Sequence, residues 1–168
     1  LILSGRINVE NVHYILNGER YDNIDCSELA RKKVVSVRAL GSREEVFEHM
    51  TVGENLMLPS LEKISFWDYI CSSRNIRKMI LEENHNLKDV KAEELGINER
   101  IQMTLERWYI FNPLVLILFE PFALCDVNGV DIVKKYVKKF SNNGTTVIIV
   151  STREEYVEDI SDQIMHIG

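Results

Sequence analysis

The sequence predicts an α/β fold with a mostly parallel sheet, and three observations carry that prediction. Leu114 to Phe119 form an apolar run bounded by Asn112-Pro113 and Glu120-Pro121, too short for a membrane span and suited to a strand buried on both faces. Upstream, Ile101, Leu105 and Trp108 recur at helical spacing, which predicts an amphipathic helix over Asn98 to Phe111. Downstream, Val130, Val133, Val137 and Phe140 line one face of a second helix that Gly144 stops, and Thr145 to Val150 reads as another buried strand. Helix, strand, helix, strand is the order of βαβ units.

Size and charge narrow the function. At 168 residues the chain suits a single domain, 1–168, with enough length for a substantial core. A net charge of -6 and a pI near 5.3 argue against a nucleic-acid face, which needs clustered Lys and Arg. Arg31-Lys32-Lys33 reads as the solvated end of a helix. Three scattered cysteines, Cys26, Cys71 and Cys125, form no C-x-x-C pair, so no zinc site or disulfide framework is expected and a reducing cytoplasm is. None of His13, His49, His85 and His166 stands at ligand spacing from a Cys or carboxylate, so no metal site is assigned. With neither a signal peptide nor a run of about 20 apolar residues, direct membrane insertion is not expected, and any membrane association would run through a protein partner.

In chain order, Arg6 to Glu10 and Val12 to Leu16 alternate and read as an antiparallel β-hairpin. Cys26 to Lys33 reads as a short helix capped by Asp25, and Val34 to Val37 as a buried strand. Thr51 with Glu54 three residues on is the signature of a capping box. Pro59 to Leu87 reads as helical, with Phe66, Trp67, Ile70, Ile76 and Ile80 as core positions, or as a docking surface if exposed. Near the end, Glu154 to Ile160 is expected as a short helix and Gln163 to Ile167 as a last strand.

Several phrases together go further. Glu106-Arg107-Trp108, then Asn112-Pro113, then Val115 to Pro121, then Asp126-Val127 stand in the order and spacing of the ATP-binding subunits of ABC transporters. Ser4 to Ile7, Met50 to Leu56 and Ser161 to Ile164 match further phrases of that family. The chain resembles its carbohydrate-importer class, whose members carry two cassettes in tandem. The resemblance spans Leu3 to Gly168 and is weakest between Leu61 and Val90. It implies a P-loop NTPase-like cassette with an N-terminal antiparallel hairpin and a helical subdomain at about residues 59–97. The G-x-x-x-x-G-K-[ST] phosphate loop is not among the 168 residues, and an upstream segment is expected to hold it, because its strand is central to the family's sheet. ATP and Mg²⁺ are the implied cofactors if that loop lies upstream.

The same comparison assigns the chemical positions. Glu120 matches the catalytic general base at the strand end; a solvated acid is the plain alternative. Asp126 matches a residue that meets the partner cassette beside the nucleotide, although it equally suits a turn or helix cap. Gly96 and Leu95 are what survives of a glycine-rich loop that binds the γ-phosphate held by the opposite cassette. Elsewhere the chain departs. Ala39 stands where a Gln or Glu meets metal and water, and Phe119 replaces the aspartate that holds Mg²⁺. Ile97 and Glu99 bring bulk and negative charge to the phosphate loop, and Thr152 replaces a histidine that the second cassettes of this class also lack.

The resemblance therefore implies a degenerate cassette subunit, or half-subunit, of an ABC importer for sugars, with weak or no hydrolysis of its own. Its partners would be a second ATP-binding cassette, of the same or a related chain, and a membrane permease, at the cytoplasmic face of the membrane. The alternative is a non-catalytic regulatory or scaffold module on the same fold.

Overall fold

A computed structural model describes residues 13–16, 18–22, 25–59 and 90–166. Its centre is a three-stranded parallel sheet of β3 (Val34–Arg38), β4 (Val115–Phe119) and β5 (Thr146–Val150), with β4 in the middle. Val34 faces Val115 and Arg38 faces Phe119 across one pair, and Val115 faces Thr146 and Phe119 faces Val150 across the other. All three carboxyl ends thus reach one edge in step. β4 is apolar throughout because both its faces are covered: Leu116 and Leu118 are fully buried on one side, and Ile117 is buried on the other.

Two long helices cover the first side. α3 (Ile97–Phe111) contributes Ile101 and Leu105, and α4 (Val127–Asn142) contributes Val130, Val133, Tyr136, Val137 and Phe140. Each stops for a local reason. Asn112 adopts φ 55 and Pro113 cannot continue a helix, while Gly144 at φ 84 turns the chain after α4. The two stops are stapled together: Asn143 Nδ2 donates to Asn112 Oδ1 at 3.0 Å, and the Thr145 hydroxyl donates to the Pro113 carbonyl at 2.8 Å. On the other side of the sheet, α1 (Cys26–Arg31) and a hairpin of β1 (His13–Leu16) and β2 (Glu19–Asp22) close over Val34 and Ile117 with Leu29, Tyr14, Leu16 and Tyr21. Asp25 caps α1, accepting the Glu28 N–H at 2.8 Å.

A smaller cluster lies beside this core. α2 (Val52–Met57) begins with the expected Thr51–Glu54 capping box and buries Val52 and Leu56 against Val46, Ala92, Leu95 and Met103. Asn55 is fully buried there, yet satisfied: its amide donates to the carbonyls of Phe47 and Thr51 at 3.0 Å, and its oxygen accepts the Phe47 N–H at 3.0 Å. Residues 60–89 lie outside the description, and with them the expected core positions Phe66, Trp67, Ile70, Ile76 and Ile80 and most of the expected helical subdomain.

The described hairpin joins residues 13–16 to 19–22 through a turn in which Gly18 adopts φ 83, and the expected strand Arg6 to Glu10 lies outside the described residues. Three expectations need correction. β5 is not buried on both faces. Val147 and Ile149 pack inward, but Ile148 and Val150 are 37% and 38% exposed, because among the described residues the hairpin and α1 cover that face over β3 and β4 and not over β5. Glu154–Tyr156 is a single 3₁₀ turn rather than a helix to Ile160, as a segment so short does not repay helix nucleation. Residues 163–166 form no strand, for no described strand lies alongside to pair with them.

Candidate functional site

Ligands of open α/β sheets gather at the carboxyl ends of the strands, and here that edge holds two strained residues. Ala39 follows β3 at φ 42 and Glu120 follows β4 at φ 45, both in the left-handed region that side chains with a Cβ seldom enter. The ladder holds them there. The Ala39 N–H donates to the Phe119 carbonyl at 3.1 Å, and the Glu120 N–H to the Val150 carbonyl at 2.8 Å. The Glu120 carboxylate leans across to the end of β5, where Oε1 accepts the Thr152 N–H at 2.8 Å and Oε2 the Ser151 hydroxyl at 3.3 Å. Ser151 Oγ in turn accepts the Arg153 N–H at 3.1 Å. Glu120 is half-buried, and so is its neighbour Phe119, which brings no second acid.

Gly96 and Asp126 form a second group, at the amino ends of the two long helices. Asp126 caps α4: Oδ1 accepts the Gly129 N–H at 2.8 Å, and Oδ2 accepts from Asn98 Nδ2 at 3.1 Å. These bonds, the Gly129 N–H first and then the Asn98 amide, hold its carboxyl below the usual range. Gly129 must be small, as a Cβ there would lie 2.9 Å from Asn98 Oδ1. Gly96 starts α3 without a side chain to offer. Instead Glu99 reaches back, and its Oε2 accepts the Gly96 N–H at 2.8 Å. Ile97 points toward the turn after β3, where a Cβ on Gly41 would meet its Cδ1 at 3.1 Å.

Behind this edge, Arg107 is 3% exposed and donates from Nη2 to the Glu45 carbonyl, with the Glu45 carboxylate 3.9 Å away. Burial pushes its guanidinium down, and Glu45 opposes the shift. Arg107 and Trp108 border a cleft of about 530 Å³ with Leu29, Val35, Phe47 and Leu58. The Cys125 thiol is pushed up to about 11 by burial, then by Asp126, with Arg153 opposing. Among the described residues no group of three His, Cys, Asp or Glu side chains is placed to hold a metal ion, and no helix is long and apolar enough to cross a membrane.

The structure thus sorts the sequence's candidates. Ala39, Phe119, Glu120 and Thr152 share the sheet edge; Gly96, Ile97, Glu99 and Asp126 share the helix ends. Ser151, Asn55 and the Arg107–Glu45 contact received no role from the sequence. A hydroxyl one residue past an apolar strand was the available signal for Ser151. Arg107 and Glu45 are 62 residues apart, and no local pattern links them.

No family model matches the chain. It is 30% identical over 122 residues to the ribose import ATP-binding protein RbsA of Geobacillus kaustophilus, covering 69% of this chain and 24% of that protein. It is 26% identical over 161 residues to the xylose import ATP-binding protein XylG of Escherichia coli K12, covering 91% and 31% respectively. The chain therefore spans about a quarter to a third of the length of these relatives. Among solved structures, an ATP-binding cassette of an ABC transporter in its ADP conformation superposes with a TM-score of 0.73 at 21% identity, over 96% of this chain and 67% of that one. The cbiO1 protein of Clostridium perfringens, part of an ABC transporter complex, gives 0.74 at 20% identity, over 95% and 63%.

Proposed function

We propose, from the premise that this chain belongs to the ATP-binding cassettes of ABC transporters, that it serves a sugar importer as a degenerate cassette with weak or no ATP hydrolysis of its own. One observation carries the reading. The frame from Arg107 to Asp126 is built and packed as a cassette's, while the sheet edge it supports offers, among the described residues, a single acid, Glu120, beside the apolar Phe119. A magnesium ion bridging phosphates needs its own oxygen ligands, and Glu120 already takes hydrogen bonds from Thr152 and Ser151. The described residues of this edge therefore do not fit the metal. ATP would enter only with a phosphate loop supplied upstream.

Glu120 remains the one candidate base, and Gly96 and Asp126 the candidate contacts with a second cassette. That second cassette, of the same or a related chain, and a membrane permease are the proposed partners, which would place the protein at the cytoplasmic face of a membrane. The cleft beside Arg107 and Trp108, which Leu58 and Pro59 also line, is the proposed place for a docked permease.

The test is calorimetric titration of Mg-ATP into the protein expressed from its natural start, with phosphate release followed in parallel. Binding tighter than roughly 100 μM, about 5.5 kcal/mol, with turnover far below about 1 s⁻¹ supports the reading. Turnover at rates common to working enzymes overturns it. Absence of binding at millimolar ATP moves the protein to the regulatory or scaffold reading.

A further inference from the structure

The amino end of α3 disagrees with the triphosphate that the cassette reading implies. A helix start is a ready place for an anion because its first N–H groups lack partners within the helix. In this chain one anion is built in. Glu99 turns back over the first turn, its Oε2 2.8 Å from the Gly96 nitrogen, and the open space that glycine leaves contains that same oxygen, 3.5 Å from where a Cβ would stand. The second helix start of this edge is likewise occupied, with the Asp126 carboxylate on the Gly129 N–H and joined to α3 through Asn98. Ile97, the first residue of α3, is 37% exposed and directs its Cδ1 toward Gly41.

We infer that the Glu99 carboxylate closes the α3 half-site, so that this edge accepts no phosphate from a nucleotide held by a partner cassette. The inference rests on the reading of the chain as one cassette of a pair. An incoming phosphate would have to displace the Glu99 oxygen from Gly96 and then sit beside two carboxylates, Glu99 and Asp126, at the ends of adjoining helices. Like charges at such distances oppose binding whatever the helix dipoles contribute. A pair containing this chain would hold at most the nucleotide bound by its own phosphate loop against the partner's corresponding edge.

The test uses the full chain, ¹⁵N-labelled, with inorganic pyrophosphate as the probe, added to about 10 mM, which covers sites weaker than millimolar. The amide signals of Gly96, Ile97 and Asn98 are followed. In the native protein they stay unmoved. In Glu99→Ser they shift saturably, and in Glu99→Gln, which keeps a hydrogen-bond acceptor and sheds the charge, they shift to a smaller extent. Saturable shifts in the native protein equal to those in Glu99→Ser overturn the inference, as does the lack of any shift in both variants. The signals are read on the isolated chain without a partner, so failure here is separate from failure to pair or to bind ATP.

Discussion

β4 and the edge it leads to are adjacent in sequence and held by different physics. Within the strand, Leu116 and Leu118 are fully buried between helices, and the fold depends on their packing. One residue past its end, Glu120 is fixed by two hydrogen bonds and a left-handed backbone, at a half-exposed position. Contacts of the first kind reward any side chain of the right shape. Those of the second kind serve a particular chemistry, and they can be altered while the fold stays intact. On the proposed reading, this is how a cassette frame would persist around positions such as Ala39, Phe119 and Thr152.

The contrast is open to measurement. Leu118→Ala is expected to remove about 2–5 kcal/mol of stability in a denaturant titration, since it empties a closed part of the core. Glu120→Ala is expected to lose only about 1 kcal/mol, the net worth of the hydrogen bond from Thr152. Glu120→Gly should recover part of that loss, as glycine adopts φ 45 without strain. If Glu120→Ala proved as damaging as Leu118→Ala, the edge would be part of the folding core and the division above would be wrong.

Sequence reasoning reached the first kind of contact more easily than the second. The apolar run of β4, the spacing of Val130, Val133, Val137 and Phe140, and the stops at Asn112-Pro113 and Gly144 are local patterns, and the structure keeps all of them. Alternation marks a strand without naming what it pairs with, and β1 is paired with Glu19–Asp22, a run the sequence did not single out. The same holds for residues 163–166, whose pattern is that of a strand but which have no described neighbour. At the edge, the spacing of a family's phrases pointed to Glu120, Gly96 and Asp126 as candidates. The back-reach of Glu99 was not legible, because a capping box is read from Ser or Thr at the first position and Gly96 has no side chain to announce it. Glu45 and Arg107 meet across 62 residues, a contact that only tertiary structure defines.

The smallest effect expected lies at Asp126, where frame and edge meet. Its carboxyl is held below the ordinary value of 3.8 by the Gly129 N–H and then the Asn98 amide, so the folded state favours the charged form more than the unfolded state does. A depressed folded pKa contributes stability that is present above the unfolded value and is lost as pH falls through the folded one. Asp126→Asn keeps an oxygen able to cap α4 and removes the charge. The melting temperatures of the native protein and of Asp126→Asn should therefore differ at neutral pH, and the gap should narrow as the pH is lowered through about 4 and below. Asp159, which accepts from Lys134 Nζ at 2.7 Å and is also held low, titrates in both proteins and cancels from the difference. A gap independent of pH would show that Asp126 serves α4 by its shape alone, placing it with the frame and leaving Glu99 as the charge that governs the edge.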